Sequence, residues 1–204
     1  MMIQKVKLAG ILFLTLFLLP LFPLNGSSAE FTLDKDHSHA GFQVRHIVSK
    51  LQGEFKDFEG SFTFDEKNPE SAAGKFIVKA ASVNTNHEKR DTHLRSPDFF
   101  DVEKFPTLSF ESRKVTPAGG KKFLLAGDLT IHGVTRPVTF DTEFFGLEKS
   151  PWGDYRAGFS ASTKINRKDY GIVWNKVLDS GGLLVGEEVE ISIQVEAIEK
   201  KPKN

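Results

Sequence analysis

The chain has 204 residues, no cysteine, and 27 basic against 27 acidic side chains. The lack of cysteine excludes disulfide scaffolds, thiol nucleophiles, thiolate-held zinc and iron–sulfur clusters. The balanced charge gives no electrostatic footprint for nucleic acid, and the 19 phenylalanines indicate a large apolar core.

The start of the chain is typical of a secretory signal peptide. Lys5 and Lys7 form a basic beginning, residues 8–24 are almost continuously apolar, and a small polar segment ends at Ala29. An apolar stretch of about 17 residues is at the lower limit for a spanning helix, and two prolines in its last third favour cleavage over anchoring. We therefore expect cleavage after Ala29 and one mature domain, residues 30–204, that works outside the cytoplasm.

From residue 30 onward, apolar and polar residues alternate, which is typical of β-strands with one buried face. At least eight such runs are separated by turn-forming segments, so successive strands are expected to pair antiparallel. Near Lys56 and Asp57 the alternation shifts by one residue, which predicts a β-bulge or a sharp coil. So many one-faced strands must close into a barrel or stack as two sheets, and alternation does not choose between them. The residues expected to face the interior are Phe42, Val44, His46, Phe62, Phe64, Phe76, Val78, Ala80, Leu108, Phe110, Leu125, Leu129, Val138, Phe140, Phe159, Ile191 and Ile193.

Residues 86–96 interrupt the strand pattern and predict a short polar helix. Asn86 is the expected N-cap, and the spacing of Asp91 and Arg95 suits an ion pair one turn apart. Leu94 is the only large aliphatic residue of the segment. The helix is therefore expected to lie over a mouth of the sheet structure and not in its core.

The histidines raise the question of a metal site. His37 and His39 would lie on one side of an extended segment, and His46 or His132 could add a third ligand. Zinc needs three converging protein ligands, which spacing alone does not supply, so we expect neither a metal nor another cofactor. The chain also lacks the nucleophile-elbow, zinc-protease, phosphate-loop and dinucleotide motifs, so no catalytic residue is assigned.

Six short motifs follow one another along the chain, namely DKDHS at 34–38, GFQVRH at 41–46, GEF at 53–55, RDTHLRS at 90–96, FFD at 99–101 and GDLTIHGVT at 127–135. They resemble the motifs of the YceI family, in the family's order and across essentially the whole of residues 31–198. The resemblance implies an all-β, lipocalin-like, extended antiparallel β-barrel in the periplasm. It further implies an elongated apolar lumen that holds a polyisoprenoid or a similar long-chain amphiphile, with no established catalytic activity.

Together with this resemblance, the sequence predicts non-covalent binding of an isoprenoid lipid, for transport or storage. The lipid would be a polyprenyl phosphate or pyrophosphate, or an isoprenoid quinone, and the interior residues named above would line the lumen. Phenylalanine suits that wall because it offers apolar surface and needs no hydrogen-bond partner. Arg90, His93 and Arg95 are candidates for binding the head group, unless they belong to a solvated helix with internal ion pairs.

Two functions of other classes remain open. One is a metal-dependent or acid–base enzyme that uses the histidine cluster, and the other is a stress-induced structural protein whose barrel is filled by its own side chains. The expected partners are a long-chain isoprenoid lipid or a similar amphiphile and, transiently, a membrane, but no nucleic acid. Formation of a homodimer is left open.

Overall fold

The computed structural model describes residues 28–201, so nearly all of the expected signal peptide lies outside the described residues. The described part forms eleven β-strands, one α-helix and four 3₁₀ turns, and no helix in it is long and apolar enough to cross a membrane. The strands are β1 (Ala29–Leu33), β2 (His39–His46), β3 (Ser49–Phe55), β4 (Phe58–Phe64), β5 (Ala73–Lys79), β6 (Val83–Asn84), β7 (Thr107–Pro117), β8 (Lys122–Ile131), β9 (Val134–Lys149), β10 (Tyr155–Asn166) and β11 (Val185–Glu199). The helix is α1 (Glu88–Arg95), and the 3₁₀ turns are Lys35–His37, Pro69–Ser71, Ala80–Ser82 and Arg167–Tyr170.

Eight of these strands close into a barrel. Their order is β1-β4-β5-β7-β8-β9-β10-β11, and β11 returns to pair with β1, with Phe31 opposite Glu199. All strand pairs in the described part are antiparallel. The closed ring confirms the predicted antiparallel barrel and excludes two stacked sheets.

Strand β11 forms a seam, because two strands share its outer edge. Its first part pairs with β2, where Val189 lies opposite Val44, and its last part pairs with β1. Strands β3 and β6 extend the sheet beyond β2. One half of the barrel is thus closed by β1, while the other half is flanked by the β2–β3–β6 extension.

The predicted irregularity near Lys56 is a sharp coil between two strands. Strand β3 ends at Phe55 and β4 begins at Phe58, and the two strands have different partners. Lys79 donates its backbone N–H to the Asp57 carbonyl at 2.9 Å, which holds the corner in place. Phe55 and Phe58 are both buried on either side of it. The phase shift in the sequence therefore marks the point where the chain passes from the extension into the barrel.

The predicted helix exists, but its cap differs from the expectation. His87 is the N-cap, and its Nδ1 accepts a hydrogen bond from the Arg90 backbone N–H at 3.3 Å. Asn86 has a positive φ of 59° and so belongs to the turn before the cap. Asparagine tolerates that left-handed conformation better than most residues, which explains its place one residue earlier.

The expected ion pair between Asp91 and Arg95 does not form. Asp91 is buried, and its carboxylate accepts hydrogen bonds from the backbone N–H of Thr85, at 2.9 Å, and from the Thr85 hydroxyl. Arg95 donates to the Ala81 carbonyl at 2.9 Å and lies 3.5 Å from the Glu88 carboxylate. The fully buried residue of α1 is therefore polar, and Asp91 anchors the helix to the segment before it.

Phenylalanine rings fill the barrel at the β1 end. The ring of Phe64 lies 4.9 Å from that of Phe144 and 5.1 Å from that of Phe159, with centroids as reference points. Phe31 stacks on Phe62 at 5.4 Å. A second apolar cluster, which includes Tyr170, occupies the end near α1. These two apolar clusters delimit the interior of the barrel.

Candidate functional site: a cavity inside the barrel

A cavity of about 450 Å³ lies inside the barrel between the two apolar clusters. All eight barrel strands, β2, β3 and α1 contribute to its wall, and phenylalanine contributes more wall residues than any other type. Cavities of about 300–1,000 Å³ with mostly apolar walls are typical of ligand-binding sites. The phenylalanines therefore have two roles, because some pack against one another and others leave room for a guest.

Most of the residues predicted to face the interior lie on this wall. They come from the alternating runs of the sequence, which the pleat of each strand turns inward. Their contact with a ligand stays a prediction. The wall residues from the predicted set are Phe42, Val44, His46, Phe62, Phe64, Phe76, Val78, Leu108, Phe110, Leu125, Leu129, Phe140, Phe159, Ile191 and Ile193.

Two predicted lumen residues do not line the cavity. Strand β5 ends one residue before Ala80, which begins a 3₁₀ turn and donates its backbone N–H to the Pro106 carbonyl at 2.9 Å. Its methyl group is buried in the apolar cluster. Val138 lies opposite Gly127, and the Phe110 ring occupies the space above that glycine. Val138 therefore packs around the cluster and does not reach the wall.

The three predicted head-group residues are held by partners within the protein. Arg90 and His93 lie on the wall, whereas Arg95 does not. Arg90 donates from Nε to the Thr85 hydroxyl at 2.7 Å, and from one terminal nitrogen to the Thr85 carbonyl at 2.8 Å. His93 Nε2 lies 2.8 Å from the Asp98 carboxylate. These contacts hold α1 against the segments on either side of it. They therefore favour a structural role, rather than head-group binding, for most of the charged side chains of the helix.

The imidazoles proposed as metal ligands do not converge. Within residues 28–201, the one close group of three ligand-type side chains is Asp34, His37 and Glu196. Arg156 already supplies a cation there, because it donates to Glu196 and, at 2.7 Å, to Asp34. Burial opposes ionisation of Asp34, but hydrogen bonds from His37 and Arg156 outweigh it and hold the pKa of that carboxyl below its ordinary value. The group is therefore a structural ion network.

Two wall residues that were not assigned a role in the sequence are Arg167 and Tyr170. Their exposed fractions are 5% and 2%. Arg167 donates from Nε to the Gly186 carbonyl at 2.9 Å and from Nη1 to the Ile172 carbonyl at 2.7 Å. In the described part of the chain, its Nη2 and the Tyr170 hydroxyl have no hydrogen-bond partner. Burial lowers the pKa of the Arg167 guanidinium and raises the pKa of Tyr170 to about 12.

The strand pattern contains a signal for Arg167. Ala161, Thr163 and Ile165 alternate along β10, and Arg167 occupies the next inward position. The inward face of this strand is otherwise mostly apolar, so an arginine at the next inward position indicates a buried charge. Tyr170 follows three residues later in a 3₁₀ turn, in which residues three apart lie on one side. The alternation of inward and outward residues thus continues to Arg167, one residue after β10 ends.

Comparison with known proteins gives the chain its relatives. Residues 31–197 match the family described as YceI-like domain. A UPF0312 protein of Photorhabdus laumondii is 44% identical over 184 residues, which cover 87% of this chain and 92% of that protein. Protein YceI of Salmonella arizonae is 43% identical over 177 residues, which cover 85% of this chain and 89% of that protein.

Solved structures share the barrel. A Campylobacter jejuni YCEI protein is 34% identical with a TM-score of 0.66, covering 83% of this chain and 97% of that one. A polyisoprenoid binding domain from Saccharophagus degradans has a TM-score of 0.63 at 15% identity, covering 85% of this chain and 99% of that one. BcnA of Burkholderia cenocepacia has a TM-score of 0.72 at 22% identity, covering 80% and 98%. The last two, at such low identity, show the fold alone.

Proposed function

Because this chain belongs to the YceI family, we propose that its barrel binds a long-chain isoprenoid lipid non-covalently. The lipid is a polyprenyl phosphate or pyrophosphate, or an isoprenoid quinone. The apolar cavity inside the closed barrel is the observation that carries the proposal. The description of the Saccharophagus neighbour as polyisoprenoid binding supports this choice of ligand.

The chemistry of the wall suits hydrocarbon. Aromatic and aliphatic side chains from opposite sides of the barrel face one space, for example Phe42, Phe110 and Ile191. Removal of a methylene group from water contributes roughly 0.8 kcal/mol, so a prenyl chain gains affinity along its whole length. The free energy of non-covalent binding saturates at roughly 18–21 kcal/mol. Beyond that range, the entropy lost when the prenyl chain becomes ordered offsets the gain from further methylene groups. A carrier can still release such a ligand to a membrane, where the hydrocarbon is again removed from water.

We further propose where the protein acts and that it is a binding protein. The signal-peptide features of the first 29 residues support export, and we place the protein in the periplasm as a carrier or store of lipid. The family and its neighbours favour a binding protein over an enzyme. Among residues 28–201 no three histidines form a group that could hold a metal ion, so the metal-dependent form of the enzyme hypothesis has no histidine site there. The cavity weighs against a completely filled barrel.

Native mass spectrometry of freshly purified protein tests this function. We expect a mass increase from one bound lipid per chain, and organic extraction should release a prenyl compound. The emptied protein should take up a prenyl lipid again in a titration. Protein that is empty after purification and binds no prenyl lipid would contradict the proposal.

A bulky residue in the lumen provides a second test. Ala161 lies on the cavity wall in β10, opposite Thr142 and Ile193 in the neighbouring strands. The substitution Ala161→Trp should weaken prenyl lipid binding by about tenfold or more, since the indole occupies space that the chain needs. Ala118→Trp, in the exposed loop between β7 and β8, is the matched control and should bind as the wild type does. Equal binding by both variants would show that the lipid lies elsewhere.

A further inference from the structure

We propose that Arg167 and Tyr170 bind the anionic head group of the amphiphile, a phosphate or a pyrophosphate, inside the lumen. Arg167 Nη2 and the Tyr170 hydroxyl donate hydrogen bonds to its oxygen atoms. This inference rests on the proposed function, because it locates the polar end of a ligand whose apolar chain the barrel holds.

The first argument is the presence of two buried donors without partners. Native proteins satisfy most buried polar groups, since an unpaired one loses its water without compensation. Arg167 Nη2 and the Tyr170 hydroxyl are both in this position. Both residues line the same cavity. The protein itself leaves both groups unpaired, and an acceptor that enters the cavity and reaches them supplies the hydrogen-bond partner that each one lacks.

The second argument is charge. Among the described residues that line the cavity, Arg90 and Arg167 are guanidinium groups, and Glu59, which is exposed, is the one carboxylate. The acid whose charge acts on Arg167 is Glu187, and its carboxylate already accepts from Lys168 Nζ at 2.5 Å. A buried cation without a hydrogen-bonded counter-ion is unfavourable. An anionic head group supplies the missing charge, whereas a neutral quinone does not.

The third argument is rigidity. Arg167 is held from Nε and Nη1 by the carbonyls of Gly186 and Ile172, so its remaining nitrogen has a fixed direction. A guanidinium group fixed in this way recognises phosphate and carboxylate oxygens with little loss of side-chain freedom. The basic side chains of α1 differ from Arg167. Arg95 lies off the wall, Arg90 donates to Thr85, and His93 is engaged by Asp98.

The test uses the delipidated full chain and two ligands with the same hydrocarbon tail, geranylgeranyl phosphate and geranylgeraniol. We expect the wild type to bind the phosphate more tightly than the alcohol by about tenfold or more, because hydrogen bonds to a charged group contribute more binding free energy than those to a neutral group. Tyr170→Phe and Arg167→Met should each reduce this preference severalfold while alcohol binding changes little. Tyr155→Phe removes the other tyrosine, which is exposed and off the cavity wall, and should keep the full preference.

Each outcome decides between the proposals. Equal binding of phosphate and alcohol by the wild type would overturn the head-group site and leave the lipid-binding function in place. An unchanged preference in folded Tyr170→Phe protein would overturn it as well. If the wild type binds neither ligand, the proposed function fails together with the site. Arg167 also holds two backbone carbonyls, so its variant requires a check of folding, whereas the Tyr170 hydroxyl has no partner to lose.

Discussion

At the scale of single residues, Tyr170 links burial to pH dependence. Its phenol is buried, and the burial raises its pKa to about 12, above the value of about 10 for a free phenol. The folded state thus retains a proton that the unfolded state loses, so this contribution to stability is present below about pH 10 and falls as the pH rises toward the folded pKa. The buried phenol is therefore a source of alkaline destabilisation.

A comparison of unfolding free energies at two pH values measures this effect. From about pH 9 to pH 11 the wild type should lose about 1.4 kcal/mol more than Tyr170→Phe, since only the wild type has the buried phenol. Tyr155→Phe removes the exposed tyrosine and should decline as the wild type does. Parallel declines in the wild type and Tyr170→Phe would show that the phenol titrates normally. Chemical denaturation at each pH gives the required values.

The inward-facing residues of the strands were largely predictable from the sequence. Most of the residues that alternation predicted to face the interior lie on the cavity wall, because a pleated strand directs every second side chain to one face. Alternation assigned Ala80 wrongly, since the strand ends one residue before and the pattern does not show where a strand stops. It gave no role to Arg167, since the residue stands in a segment that has the composition of a turn. That its Nη2 has no hydrogen-bond partner can be seen only in the folded structure.

At the scale of elements, Arg156 holds several parts of the barrel together. From β10 it contacts Asp34, at the end of β1, and Glu196 in β11. The side chains of Arg156 and Asp34 are mostly buried, with exposed fractions of 19% and 13%, so solvent screens this network less than a surface pair. The network lies beside the seam at which β1 meets β11.

Arg156→Met should therefore lower the melting temperature. Loss of the guanidinium leaves two carboxylates close together without their cation, and we expect a cost of about 2 kcal/mol, or roughly 4–8 °C for a domain of this size. Lys164→Met is the matched control, because the ion pair of Lys164 with Glu188 is largely exposed and should contribute little. Equal shifts in the two variants, measured by calorimetry, would argue against a special role for the Arg156 network.

The elements were predictable where local patterns decide them. The polar helix, its approximate extent and the corner near Lys56 follow from composition and phase. The division of the sheet into a closed ring and the β2–β3–β6 extension depends on pairing between distant segments, such as Val83 with Phe55. Alternation carries no information about which strand is the neighbour, so the sequence left the barrel and the stacked sheets open until the family resemblance was considered.

At the scale of the whole molecule, the cavity implies that stability depends on its content. A ligand that binds only the folded state stabilises it by about 2.7 kcal/mol at a concentration one hundred times its dissociation constant. The protein as purified from cells should therefore melt roughly 5–10 °C above the same protein after lipid extraction, and reloading should restore the difference. Ala161→Trp should show little change on extraction, since its lumen is occupied. Identical melting of purified and extracted wild type would contradict a resident lipid.

The pairing of β1 with β11 has a consequence for the time at which the barrel forms. These two strands stand at opposite ends of the described chain, yet Phe31 and Glu199 are neighbours in the sheet. A chain that emerges amino terminus first, from a ribosome or through a membrane pore, exposes β1 long before its partner arrives. The ring can close only when the last strand has emerged, so the newly made chain has an open interior until synthesis or passage is complete.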